Sequence, residues 1–372
     1  MRKVFWLMAL AWPVVLAGEP GLTHKDVFTA GEGGYHSFRI PALVAAPDGS
    51  LVAFAEARKE NREDPGGGDI DLVAKRSTDQ GESWSAMRVV DDPGEKWAAS
   101  NPTPVVDAAK KRLLIVYNRW EPGYGTARSQ PGTMNNQTWV RSSDDNGLTW
   151  SAGRDITSSA RDVANWGAIF VGPGGAIQSR KGRLLIPAAM SPDTYGIQMS
   201  LGGFHGLVNF MRAYCLYSDD GGASWQRGSL VRALTNENQL VELADGAILM
   251  DARQGPGEHR WVAVSGDGGQ TWSNPRPGQQ VGPVATAIER WDKERILWTG
   301  PTGPGRRNLV VRVSHDEGQT FANERVIYGG LAAYSDLAIL KDGTAGVLWE
   351  RGVSDGYQFV TFTKLGQTFW GK

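Results

Sequence analysis

The chain has 372 residues, with 39 Lys and Arg against 40 Asp and Glu, so it lacks the basic excess that phosphate-backbone binding needs and no nucleic-acid partner is expected. Apolar residues make up 41% and include 15 Trp, which excludes broad disorder, while 48 Gly without a collagen-like period imply many tight turns and favour short strands over helices. A single cysteine, Cys215, and five scattered histidines exclude an internal disulfide framework and leave no expected metal site or cofactor.

Arg2 and Lys3 precede the apolar run Val4–Ala17, which contains Pro13. The run is short of the ~20 residues of a membrane span. Its charged-then-apolar order reads as a signal peptide over residues 1–17, cut before Gly18, and the competing reading is a buried N-terminal strand. The expected location is secreted or periplasmic, with no membrane span. Mass spectrometry of the chain from its native host should find an N-terminus near Gly18; an intact Met1 on an active secreted form refutes the expectation.

Residues 22–370 then carry two repeated elements. The first is Asp-Gly between apolar runs. Leu43–Arg58 turns at Asp48-Gly49, Leu240–Arg253 at Asp245-Gly246 and Leu337–Arg351 at Asp342-Gly343. This is a strong hairpin signal. Ile70–Arg76, Leu113–Trp120, Leu184–Ala189, Tyr214–Tyr217, Trp261–Val264 and Leu309–Val313 are further predicted strands. No apolar period of 3.6 is sustained. Gly172-Pro173-Gly174-Gly175 has no following Lys-Ser/Thr and no helix to open, so it is not a phosphate loop.

The second element is the octet Ser-x-Asp-x-Gly-x-Ser/Thr-Trp. It occurs at Ser77–Trp84, Ser143–Trp150, Ser218–Trp225 and Ser265–Trp272, with a near-copy at Ser314–Phe321. In such a box the Asp accepts turn N–H bonds, the Gly supplies a positive φ and the aromatic ring packs inward. The boxes are structural punctuation. Meanders of about four strands at this spacing match radial blades. The expected fold is all-β: one six-bladed β-propeller over residues 22–370, since five boxes plus the unboxed flanks suggest six blades.

Charged residues that interrupt these strands are the candidate chemistry. Arg39 stands in Ser37-Phe38-Arg39-Ile40-Pro41, Arg253 ends an apolar strand, and Arg306-Arg307 precedes another. Each alone reads as a solvated strand end. Together on different blades they read as a guanidinium cluster for a carboxylate or phosphate.

With Phe38–Pro41, the five Asp boxes, Asn101-Pro102, Glu237, Arg253, Arg306-x-Asn308-Leu309 and Tyr334-Ser335-Asp336-Leu337, the chain resembles the sialidase (neuraminidase) family over nearly its whole length after residue 17. The resemblance implies an exo-α-sialidase that releases terminal sialic acid with retention from glycoproteins, glycolipids or oligosaccharides. It implies that Arg39, Arg253 and Arg306 grip the sugar carboxylate and that Glu350 orients Arg39. It makes Tyr334 the nucleophile, Glu237 its base and Asp64 the general acid and base. Arg58 and Asn101 would face the 4-hydroxyl end of the sugar. A neutral phenol suits an anomeric carbon that bears a carboxylate, since an anionic nucleophile would be repelled; sialidases with Tyr are a known exception among glycosidases.

The alternatives stay open here. Tyr334 as a core aromatic, Glu237 as a loop carboxylate and Arg307 in place of Arg306 are the competing assignments. Asp69 and Asp71 share the Gly-rich loop of Asp64. The insertions Pro122–Asn136 and Met190–Met211 are expected over the site, with Tyr124, Tyr195 and Phe204 as aglycone candidates. The competing functions are a non-catalytic glycan-binding propeller, a glycosidase for a related 2-keto sugar acid, and a trans-sialidase.

Overall fold

A computed structural model describes residues 22–126, 128–192 and 210–370. The proposed signal peptide, Tyr195 and Phe204 lie outside the described residues. Nearly all regular structure is antiparallel strand, with one four-residue α-helix at Thr157–Ala160. Among the described residues no helix is long and apolar enough to cross a membrane.

Strand pairing divides into six four-stranded antiparallel units, which we read as the blades of a propeller. The first runs Ser37–Ala45, Leu51–Arg58, Ile70–Ser77, Arg88–Asp91, and the second Ala98–Asp107, Arg112–Trp120, Asn136–Ser143, Arg154–Asp155. The third is Ala168–Val171, Leu184–Ser191, Arg212–Ser218, Gln226–Arg227, and the fourth Thr235–Glu242, Ile248–Gln254, His259–Ser265, Arg276–Gln280. The long strand Ala322–Ile339 serves two blades: its first part is the outer strand of the fifth, beside Arg307–Ser314, and its last part is the inner strand of the sixth, beside Ala345–Gly352. The predicted Asp-Gly turns are all present, with Gly49, Gly246 and Gly343 at positive φ.

Six buried apolar clusters lie between successive blades, among them Val105, Val116, Ile169 and Ile186 between the second and third. The ring closes through Phe28, Phe38, Leu348 and Phe362 between the sixth and first blades. Closure explains why there are five boxes. The outer strand of the sixth blade is His24–Thr29, from the other end of the chain, and it pairs with Phe359–Leu365. No turn joins these two strands, so no box is needed there. Radial repetition leaves only short outer-strand edges, such as Arg154–Asp155 and Gln226–Arg227.

Each box clamps its blade to the preceding one. In the first, Asp79 accepts the Ser83 amide at 2.9 Å and the Ser77 hydroxyl at 2.8 Å, while Ser77 Oγ accepts the Gly81 amide at 2.8 Å. The Ser83 hydroxyl and amide hold the Asp79 carboxyl down to about 2. The same pattern recurs at Asp145, Asp220, Asp267 and Asp316. Gly81 has φ +92°, and a Cβ there would lie 2.0 Å from the Phe362 ring of the sixth blade. Gly81→Ala therefore meets both backbone strain and overpacking, and should lower unfolding free energy by about 1–3 kcal/mol. Urea unfolding with an unchanged midpoint would refute this account of the clamp.

The inner strands share one irregularity. Four of them shift register part-way along: between Arg39 and Ala42, Ser100 and Thr103, Thr235 and Asn238, and Ala332 and Ser335. A bulge releases a residue from the ladder and re-aims its side chain. Here the released segments hold Ile40, Asn101, Asn236, Glu237 and Tyr334, and all five line one cavity.

Candidate functional site

The cavity encloses about 620 Å³. That is ample for a nine-carbon sugar acid among usual ligand pockets. Its floor holds Tyr334, Glu237, Arg253 and Arg306, and one wall holds Glu56, Arg58, Asp64 and Asn101. Trp120, Phe170 and Met211 add an apolar side.

Tyr334 is 6% exposed. Its hydroxyl donates to Glu237 Oε1 at 2.6 Å and accepts from Arg253 Nη1 at 2.9 Å. Arg253 Nη1 also bonds Glu237 Oε2. Burial, and then the Glu237 carboxylate, raise the Tyr334 phenol well above its usual range, against the pull of Arg253 and Arg306. The phenol thus carries its proton at rest, with an acceptor already aimed at it.

The three arginines meet around this phenol. Arg306 lies 5.1 Å and Arg39 5.6 Å from the Tyr334 ring centroid. Arg39 donates Nε to Glu350 Oε1 at 2.7 Å. Burial opposes its charge, but Glu350 more than offsets this and keeps the guanidinium ionised. Glu350 is fully buried and also accepts the Ile40 amide at 2.8 Å and the Tyr334 amide at 3.2 Å. One carboxylate therefore fixes an arginine, a bulge and the strand of the phenol. The Ile40 amide is held although φ is +58°, a costly conformation for a β-branched residue.

Two features leave room for an anion. Arg253 Nε is buried with no hydrogen-bond partner among the described residues. Arg306 has no carboxylate within 4.0 Å among them, and its Nη1 donates to the Tyr357 hydroxyl at 2.9 Å. Arg307 is exposed, whereas Arg306 lines the cavity. Cationic donors with unfilled bonding capacity suit a ligand carboxylate. Arg253→Lys keeps the charge but removes the fork and the free Nε. Binding of a sialic acid analogue should weaken by at least about tenfold, the scale of one charge-assisted hydrogen bond. Calorimetry showing unchanged affinity would remove Arg253 from the anion site.

Asp64 lines the cavity from its rim, with its side chain 83% exposed and Oδ1 3.1 Å from Arg58 Nη2. Asp69 and Asp71 do not line it. Both bind Lys59, at 2.9 and 3.0 Å, and Asp71 also accepts the Tyr35 hydroxyl. The Gly-rich loop is pressed backbone to backbone on the insertion: a Cβ at Gly66 would lie 2.7 Å from the Gly125 amide, and one at Gly125 would lie 2.4 Å from the Pro65 carbonyl. Gly123, Gly125, Thr126 and Arg128 of that insertion line the cavity; Tyr124 does not.

Two residues escaped the sequence reading. Glu56 is buried, bonds Arg58 at 2.7 Å and accepts the Asn101 amide at 3.0 Å, and so positions both. Burial raises its carboxyl, with Arg58 opposing. The signal was a lone Glu in the otherwise apolar run before Arg58. Tyr357 links two arginines, its ring 4.0 Å from the Arg39 guanidinium carbon and its hydroxyl on Arg306. It follows a Gly in a turn, and nothing local marks it.

The BNR repeat-like domain family matches residues 48–347. The chain is 32% identical to a sialidase of Micromonospora viridifaciens over 95% of its own length, and spans 56% of that longer protein. It is 30% identical to an exo-alpha-sialidase of Arthroderma benhamiae, covering 76% of this chain and 68% of the relative. Among solved structures it superposes on a Hadza microbial sialidase with a TM-score of 0.82 at 24% identity, over 92% of this chain and 68% of the other.

Proposed function

Since this chain belongs to the sialidase family, on the BNR repeat-like domain, we propose that it is an exo-α-sialidase that hydrolyses terminal sialic acid from glycoconjugates with retention, acting outside the cytoplasm. Residues 22–370 are the catalytic domain. The observation that carries the reading is the Tyr334 hydroxyl, 2.6 Å from Glu237 and 2.9 Å from Arg253, beneath three arginines.

Arg39, Arg253 and Arg306 hold the substrate carboxylate. Arg58 and Asn101 meet the opposite end of the ring. As Tyr334 Oη bonds to the anomeric carbon, its proton passes to Glu237, and Asp64 protonates the departing oxygen. The resting phenol is hard to ionise, so attack and proton transfer are coupled. Water then attacks the anomeric carbon and gives a proton to Asp64, and Tyr334 leaves with the proton from Glu237. Both carboxyls return to their starting state.

Proton NMR of sialyllactose turnover tests this directly. The α-anomer of sialic acid should form first and then mutarotate. A first-formed β-anomer overturns retention. Absence of any release, with binding retained, favours the glycan-binding propeller. Transfer to lactose or an anhydro product identifies a trans-sialidase, and turnover confined to a sugar without the N-acetyl group redefines the substrate.

A further inference from the structure

Below the Tyr334–Glu237 pair lies a second polar bridge across the propeller axis. Asp336 follows Tyr334 by two residues on one inner strand, and Gln239 follows Glu237 by two on another. Gln239 Nε2 donates to Asp336 Oδ1 at 2.8 Å. Both contacts join the same pair of strands, one through the bulged residues and one through the regular ladder just past them. Asp336 Oδ2 accepts the Leu43 amide at 2.8 Å, just past the Arg39 bulge. Gln239 is fixed at both ends of its amide: Nε2 also donates to the Pro173 carbonyl at 3.2 Å, and Oε1 accepts the Ile288 amide at 3.0 Å. The rung is closely packed. A Cβ at Gly174 would lie 2.4 Å from the Asp336 carboxylate, and one at Gly175 would lie 2.2 Å from Gln239 Cγ.

We propose that Asp336 and Gln239 are positioning residues, and that their hydrogen bond sets the separation and aim of Tyr334 and Glu237 above it. The claim rests on the proposed sialidase reaction. The geometry calls for such a device. Tyr334 and Glu237 come from bulged strands of the sixth and fourth blades, with the fifth blade between them, and no backbone ladder joins those strands. Bulges free side chains but also loosen them. A buried, fully bonded rung one step below the bulges restores the register. It joins the inner strands of the sixth and fourth blades directly and reaches the first, third and fifth through Leu43, Pro173 and Ile288. Burial raises the Asp336 carboxyl to about 7, although the amides of Leu43, Leu337 and Gly175 and the Gln239 side chain all favour its anion. All four are donors, so an amide at 336 would set its own N–H against one of them.

A charge-swapped pair tests the rung. Asp336→Asn puts a donor against Leu43 or Gln239. Gln239→Glu puts two carboxyls face to face. The double variant restores a donor-to-carboxylate bond in the opposite sense. On an aryl sialoside each single variant should lose about 10- to 100-fold in kcat, the scale of a reacting group displaced by about 1 Å. The affinity for sialic acid should fall less than kcat, because Glu350 and not the rung holds Arg39, and only Arg253 of the three arginines bonds both Glu237 and Tyr334. The double variant should exceed the weaker single in kcat without reaching wild type, because its carboxylate at 239 faces the Pro173 carbonyl that Gln239 Nε2 had bonded. Folded singles with kcat within twofold of wild type overturn the proposal, as does a double no better than the singles. Equal losses in kcat and sialic acid affinity also overturn it, since they mark general loosening. If Asp336→Asn does not fold, Gln239→Met removes the bond with little change in volume and carries the same kcat and affinity criteria. The crystal structure of a folded single variant gives a readout independent of turnover. Tyr334 Oη should move beyond 3.2 Å from Glu237, and an unchanged contact overturns the proposal. A wild-type chain that releases no sialic acid refutes the reaction, and the rung is then judged by that distance alone.

Discussion

Tyr334→Phe should lower turnover of sialyllactose and of an aryl sialoside alike, by about 10²–10⁴-fold, the scale of losing one positioned chemical group. The substitution removes a single oxygen from a buried ring, so packing in the cluster of Ile40, Val284, Ala285 and Ala333 is kept. It deletes the atom that the proposed reaction bonds to the anomeric carbon. Improving the leaving group cannot compensate, because the missing partner stands on the other face of the sugar. The stereochemistry changes too. Residual turnover must use water on the exposed face, so the first-formed anomer is no longer exclusively α. A variant that keeps both rate and anomer removes Tyr334 from the reaction and leaves it as a core aromatic. Glu237→Gln gives a contrasting loss. It leaves the nucleophile in place without its base, and burial still holds the phenol above its usual range with no group to take the proton at neutral pH.

The sequence was most legible where a physical demand falls on adjacent residues. Asp-Gly turns and Asp boxes are local devices, and they marked the meanders and the boxed blades. Phe38–Pro41 and Asn101-Pro102 were legible as motifs, and the structure adds their mechanics. Ile40 and Asn101 both take positive φ at bulges, each followed by a proline inside a strand, where proline is tolerated at irregularities. What stayed hidden depends on distant pairing. The sixth blade is completed by His24–Thr29 against Phe359–Leu365, and no short pattern announces a partner at the other end of the chain. Glu56 looks like a strand-end charge until Arg58 and the Asn101 amide close around it. Tyr357 gains meaning only when two arginines from other strands arrive at its ring and hydroxyl.

Asp64 poses the remaining catalytic question, because it differs from the other site carboxylates. Glu237, Glu350 and Glu56 are buried and bound to arginine, whereas the Asp64 side chain is 83% exposed at the rim. That position suits a group that must meet the leaving oxygen and later a water. It predicts a dependence on the leaving group. A sugar alcohol leaves poorly without a proton, whereas nitrophenolate and methylumbelliferone leave readily. In single-turnover glycosylation, Asp64→Asn should lose about 10²–10⁴-fold on sialyllactose, the range of a general-acid contribution. On an aryl sialoside the same step should fall by less than about tenfold. In the proposed reaction deglycosylation needs the base form of the same residue, so steady-state rates blur the contrast and do not substitute for it. Asp69 is the control. It is held by Lys59 at 2.9 Å and lies outside the cavity lining, so Asp69→Asn should leave the ratio between the two substrates unchanged. Equal losses for Asp64→Asn on both substrates, or a substrate-dependent loss for Asp69→Asn, would take the acid role from Asp64.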